Sequence, residues 1–256
     1  KQVPDSNVGI KIKPDGSDIE LAGLKLVLDP FDEFGVELGI QIREKRQDVA
    51  ELVALTLGPN KASEALRVAV AMGADSGLHI NDPQFESKNE LFAAHVVSQA
   101  IEKDATGFDL ILCGKYNIDL DAGAFGPALA EFLDIPHVAA LQSLDISEDG
   151  KSFVARRRIE GAEEVVECSL PALLTIEKGM VEPRYPSLPN LMKAKKKPVT
   201  VLSSSDLACD EELRDSLSFL SIAAPPPRKA CEFVEGDPDV MAKELVRLLR
   251  EEAKVV

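Results

Sequence analysis

Between Asp48 and Leu141 the chain changes hydrophobic period repeatedly, and this alternation confines it to one kind of architecture. Asp48–Leu57 (DVAELVALTL) is rich in Val and Leu and stops at Gly58-Pro59, the pattern of a buried strand and its turn. Lys61–Met72 then carries Leu66, Ala69 and Val70 at helical spacing, with Gly73 as a stop. Ser76–Ile80 reads as a strand. Asn89–Lys103 reads as an amphipathic helix, with Leu91, Phe92, His95, Val96, Gln99 and Ala100 three and four apart. Asp109–Cys113 (DLILC) is a short buried strand, Gly123–Leu133 a helix and His137–Leu141 a strand. Upstream, Asp32–Arg46 is a helix with acidic residues at its start and basic ones at its end, as the helix dipole prefers, and Asp29-Pro30 opens it.

Strand and helix in turn, with short Gly or Pro breaks, predict a parallel α/β sheet with right-handed crossovers. Ligands of such sheets sit at the carboxyl ends of the strands, so the segments after Leu57 and Cys113 are where a site is expected. Beyond residue 145 the pattern changes. Lys151–Ile159 and Glu163–Cys168, joined across Glu160-Gly161-Ala162, predict a β-hairpin, and Pro171–Ile176 a further strand. Residues 182–197 form a Pro-broken segment ending in lysines. Ser203–Pro227, closing on three prolines, reads as an extended arm, and Asp237–Val255 as a final helix. The division expected is an α/β domain over residues 1–200 and an arm with its helix over 201–256.

Charge and cysteine usage narrow the function. The net charge is −15, which disfavours phosphate backbones and anionic membranes. No apolar run reaches the ~18 residues of a spanning helix. Trp is absent and Tyr occurs twice, too few for a base-stacking platform. The four cysteines lie far apart without a C-x-x-C, which fits reduced thiols better than disulfides or zinc. The chain opens on Lys1 without a signal-like stretch, and a short strand is expected before it.

Two segments could carry chemistry. Gly114-Lys115 follows the DLILC strand, without the spacing of a P-loop. The small residues of the loop from Tyr116 to Pro127 let backbone amides approach a ligand, and a helix start seats phosphate. The alternative is a plain strand-to-helix loop with Asp121 as the N-cap. Asp119 and Asp121 read as capping or solvated groups more readily than as metal ligands. The three histidines are scattered, and no nucleophile motif is present. The second segment is Leu188-Pro189-Asn190-Leu191-Met192 followed by Lys193, Lys195, Lys196 and Lys197. It is either a solvated helix end or a docking element with an apolar anchor and charged steering.

Taken together, the chain resembles the β subunit of electron transfer flavoprotein along nearly its whole length. The resemblance rests on KQVPD (Lys1–Asp5), DPFDE (Asp29–Glu33), Gly-Pro after LVALTL, AMGAD (Ala71–Asp75), LCGK (Leu112–Lys115) with Asp119 and Asp121, and EPRYPSLPNLMKAKKK (Glu182–Lys197). It implies a Rossmann-like, adenine nucleotide alpha hydrolase-like fold whose C-terminal arm wraps an α subunit holding the redox FAD. In the common form β buries a structural AMP; in the electron-bifurcating form β holds a second FAD that takes hydride from NADH. Electrons come from flavoprotein dehydrogenases, often the acyl-CoA dehydrogenases of fatty acid oxidation, and leave to a membrane quinone oxidoreductase. The resemblance places such a chain in the bacterial cytoplasm or, in a eukaryote, the mitochondrial matrix.

The same resemblance assigns residues. Nucleotide contacts map to Asp29, Pro30, Phe31 and Asp32, to Leu57, and to Gly114, Lys115, Asp119, Asp121, Ala122, Gly123, Ala124 and Phe125. Phe31 also maps near the α-subunit flavin. Asp29 replaces the family's usual Asn, and Gly123-Ala124-Phe125 lacks the usual side-chain donors. Dehydrogenase recognition maps to residues 182–197, with Leu188 as anchor beside Pro189, Asn190 and Met192. Lys193 and Lys196 match lysines methylated in some members. Gly126-Pro127 looks like the bifurcating type and the recognition segment like the simple carrier, which is the reading favoured. A carrier of this kind has no catalytic residue of its own. A nucleotide sensor on the same fold is a third possibility, against which the long arm argues.

Overall fold

The computed structural model describes Lys1 to Val255 apart from Gln47 and Lys229. In chain order the elements are β1 (Gln2–Pro4), β2 (Leu26–Leu28), α1 (Pro30–Lys45), β3 (Val53–Leu57), α2 (Ala62–Met72), β4 (Ser76–Ile80), α3 (Glu90–Asp104), β5 (Leu110–Gly114), α4 (Phe125–Phe132), β6 (His137–Ile146), β7 (Ser152–Ile159), β8 (Ala162–Ser169), β9 (Ala172–Ile176), α5 (Leu188–Ala194), β10 (Val199–Leu202), α6 (Glu211–Asp215) and α7 (Pro238–Glu251). They form an antiparallel β1–β2 pair, a parallel sheet ordered β10-β4-β3, and a five-stranded sheet ordered β5-β9-β6-β7-β8. The last is parallel across β5, β9 and β6, and antiparallel through the β7–β8 hairpin. The expected α/β class with a hairpin insertion is what the chain adopts.

β9 is the strand of this sheet that is buried on both faces. All five residues of its ALLTI run are buried. Successive side chains point to opposite faces, so Leu173 joins Phe92, Val96 and Leu129 in one core, while Leu174 and Ile176 join Leu38, Val138 and Phe153 in the other. The buried Thr175 hydroxyl has its own task. β6 is irregular between Val138 and Leu141, where Ala140 takes a φ of 59°, and the Ala140 N–H donates to Thr175 Oγ1 at 2.9 Å. Gly126 lies on the same residue. A Cβ there would stand 2.5 Å from Thr175 Cγ2 and 3.2 Å from Cys113 Sγ. Gly126→Ala is therefore expected to destabilise the protein by about 1–2 kcal/mol through overpacking. A calorimetric melting temperature unchanged from that of the parent would show that α4 moves off the sheet freely.

Several boundaries differ from the sequence expectation, each for a local reason. β3 starts at Val53, not Asp48. The Leu52 N–H donates to the Asp75 carboxylate at 3.0 Å, and Arg43 pairs with the same carboxylate, so the preceding residues serve a corner. α4 starts at Phe125, not Gly123, with Ala124 at the cap position. Asp121 is thus not its N-cap; it sits in the preceding loop at a φ of 50°. β6 continues to Ile146 because it pairs with β7. The Pro-broken segment contains a true helix, α5, capped by Ser187 and with Pro189 in its first turn, where a missing N–H costs nothing.

The chain forms two compact units, Lys1–Ser221 and Ile222–Val256. The first runs past residue 200 because Leu202 and Leu207 are buried in its core, and because Asn89 Nδ2 donates to the Leu213 carbonyl at 2.8 Å. Ser203–Ser216 is therefore fastened to its own domain and not a free arm. In the second unit α7 is amphipathic, with Val240, Met241, Leu245 and Val246 exposed and Arg247 paired to Glu244 and Glu251. Among the described residues no helix is long and apolar enough to cross a membrane.

Candidate functional site

The start of α1 and the end of β5 are locked together. Asp29 caps α1 and is fully buried. Its Oδ1 accepts from the Phe31 N–H at 2.8 Å and its Oδ2 from the Ile118 N–H at 2.9 Å. Asp32 accepts from the Gly114 N–H at 2.9 Å. The rings of Phe31 and Tyr116 pack with centroids 4.3 Å apart and planes tilted by 46°, a contact that also ties the two stretches. Gly114 is obligatory: a Cβ there would lie 2.7 Å from Phe31 Cβ and 2.8 Å from its carbonyl carbon. The two stretches mapped from the sequence, 29–32 and 114–125, are thus held side by side. Leu57 sits at the end of the other sheet, opposite Ile80.

Their surroundings are acidic. Burial, then the neighbouring Asp32, pushes the Asp29 carboxyl above its ordinary value, against the pull of the two amide bonds. Burial and Asp29 push Glu33 up as well. The nearby cations are engaged. Lys1 Nζ pairs with Asp119 at 2.7 Å, and Lys115 Nζ with Glu177 at 2.7 Å. Glu90, the first residue of α3, crosses to the loop: Oε1 accepts from Asn117 Nδ2 at 2.7 Å and Oε2 from the Ala124 N–H at 2.9 Å. Asp121 and Gly123 are exposed, Ala122 half-buried. Glu90, Asn117 and Glu177 were not foreseen. Glu90 reads in sequence as a dipole-favoured acid in a first helical turn, and only packing brings it to another helix. Burial pushes the Cys113 thiol far up, which disfavours the thiolate a nucleophile needs.

The second site is α5 and the residues leading to it. Arg184 is gripped by α1 through four side-chain bonds. Nε and Nη2 donate to Glu37 at 2.8 and 2.9 Å, and Nη1 and Nη2 to Glu44 at 2.6 and 3.0 Å. The Arg184 N–H donates to Glu37 as well, and Gln41 braces the same carboxylate. Positions 37, 41 and 44 lie on one face of α1 because they are separated by four and three. Burial pushes Glu37 up, but the bonds from Arg184 and Gln41 outweigh it and hold the carboxyl below its ordinary value. At the far end Ala194 is buried among Val70, Ala71 and Ala74, and Lys197 Nζ donates to the Ala74 carbonyl at 2.6 Å. Between these two fastenings Tyr185, Leu188 and Met192 are 98, 78 and 72% exposed. Pro189, Asn190, Lys193 and Lys196 are exposed beside them.

Fold and sites together define a Rossmann-like α/β protein with a loop packed at a strand end and a helix, fastened at both ends, that exposes apolar side chains among lysines. A family model described as electron transfer flavoprotein domain matches residues 19–207. The electron transfer flavoprotein subunit beta of Bacillus subtilis (strain 168) is 39% identical over 247 residues, covering 96% of this chain and 94% of that protein. The subunit beta of Bos taurus is 38% identical over 245 residues, 95% of this chain and 93% of that protein. That of Bradyrhizobium diazoefficiens is 36% identical over 256 residues, 100% of this chain and 97% of that protein. The chain belongs to the electron transfer flavoprotein family, among its β subunits.

Proposed function

We propose that this chain is the β half of a heterodimeric electron carrier that takes electrons from flavoprotein dehydrogenases, such as acyl-CoA dehydrogenases, and passes them to a quinone oxidoreductase. The redox FAD, held mainly by the α partner, supplies the electron chemistry when bound. This chain supplies docking and orientation. The observation that carries the reading is α5: a short helix fastened at both ends that turns Leu188 and Met192 outward, beside exposed lysines on a chain of net charge −15. An apolar anchor on a rigid support loses little entropy on binding, and the lysines steer an acidic partner towards it.

Gly126, one residue that resembles the bifurcating type, is accounted for by its contact with Thr175. The loop does not fit the phosphate of an adenine nucleotide in its present arrangement, because Glu90 holds the Ala124 N–H and Lys1 and Lys115 are paired with carboxylates. Both oxygens of Asp29 are likewise taken up by backbone amides and not directed at a base.

Co-expression with the α subunit tests the reading. The expected product is a heterodimer with one flavin that an acyl-CoA dehydrogenase reduces. Two flavins per heterodimer would favour the bifurcating form. A monomer that associates with no flavoprotein would overturn the carrier reading altogether.

A further inference from the structure

The Glu90 carboxylate is bound where an anion would be expected. The start of α4 offers free N–H groups after a loop of small residues, the arrangement that seats phosphate in parallel α/β proteins. Here the Ala124 N–H donates to Glu90 Oε2 at 2.9 Å, and Asn117 Nδ2 donates to Glu90 Oε1 at 2.7 Å. The loop closes on the same residue, since Asn117 Oδ1 accepts from the Leu120 N–H at 3.0 Å and its carbonyl from the Asp121 N–H at 2.9 Å. Gly123, Ala124 and Phe125 bring no side-chain donor of their own. The remaining charges disfavour a second anion: Asp29, Asp32, Asp119 and Asp121 surround the loop, while Lys1 and Lys115 are paired with Asp119 and Glu177.

We propose that Glu90 is a built-in replacement for a nucleotide phosphate, so that this β subunit holds its loop closed without bound AMP. A ligand that binds only the folded state stabilises it by an amount that grows with the free ligand concentration. A carboxylate carried on the chain does the same at every concentration, and it repels a phosphate brought to the same amides. The proposal rests on the β-subunit reading only in taking this loop as the family's nucleotide seat.

The test uses the αβ complex. Denatured wild-type complex should release flavin and no AMP, and millimolar AMP should leave its melting temperature unchanged. Glu90→Ala opens the seat and removes the charge, and it should gain an AMP-dependent rise of several degrees, with AMP bound at least tenfold more tightly than by wild type. Glu90→Gln keeps the shape, and with it the loop, if the Ala variant folds poorly; losing the repulsion should give it the same sign of response. Stoichiometric AMP in the wild-type complex would overturn the proposal, as would variants that both ignore AMP. Flavin content and reduction by the dehydrogenase, read on the same samples, report separately on the carrier assignment.

Discussion

Leu188→Ala is expected to raise the apparent KM of the dehydrogenase for the αβ complex roughly thirtyfold while leaving flavin content and melting temperature as they are. The side chain is 78% exposed, so its removal costs the free subunit almost nothing. Burying a leucine in a partner's pocket contributes about 2 kcal/mol, and each 1.4 kcal/mol is about tenfold in affinity. Binding energy concentrates in the few side chains that fill desolvated pockets at the centre of an interface. Tyr185 and Met192 flank Leu188 and should give smaller effects of the same sign. Stopped-flow reduction of the complex by substrate-reduced dehydrogenase measures this. An unaltered dependence on complex concentration would remove Leu188 from the interface.

The second large effect belongs to a residue that is not proposed to touch the partner. Arg184→Met should lower stability by about 2–3 kcal/mol, because it leaves the buried Glu37 carboxylate without its cation. The figure lies at the low end for a buried pair because the Arg184 side chain is itself 37% exposed. The pH dependence separates this from ordinary loss of packing. In the wild type, Glu37 and Glu44 are held below their ordinary value of 4.5, so their contribution is present above that value and is lost as pH falls through the lowered one. In the variant the cation is gone, and burial pushes the Glu37 carboxyl up against only the bonds from Gln41 and the residue-184 N–H. Its unfavourable contribution then fades on acidification. The stability gap between the two proteins should thus be widest at neutral pH and narrow towards pH 4. A gap constant from pH 7 to pH 4 in urea titrations would show that the pair contributes nothing through charge. Because Arg184 stands three residues before the Ser187 cap, dehydrogenase docking should weaken with it, and Arg184→Lys should restore only part of either property, since lysine cannot bridge two carboxylates as a planar fork does.

Much of the fold was legible because its signals are local. β4 over Ser76–Ile80 was legible to the residue, since Ala74-Asp75 before it and Asn81-Asp82-Pro83 after it break the pattern. α3 starts one residue later than expected because Asn89 is its cap, accepting from the Leu91 N–H. β3 was over-extended because Asp48–Leu52 has strand composition, whereas the Asp75 side chain takes up the Leu52 N–H. The helix in residues 188–194 was hidden by prolines that, in a first turn, support a helix rather than break it. In the sites, the stretches 29–32 and 114–125 that the resemblance groups do lie side by side, but it maps Asp29 to a ligand contact. Burial and two amide bonds give it a structural task instead.

Amino-acid order alone determined what depends on neighbours three or four residues away: the alternation of strand and helix, the hairpin turning at Glu160-Gly161, and the conspicuous lysines after Leu188. Contacts between residues far apart in the chain were decided only by the tertiary structure. Glu90 reaches Ala124 across 34 positions, and Arg184 reaches Glu37 across 147. A carboxylate reads the same in sequence whether it faces water, a helix start or a guanidinium. Its partner, and with it its charge state and its use, is fixed by which elements the buried sheet brings side by side.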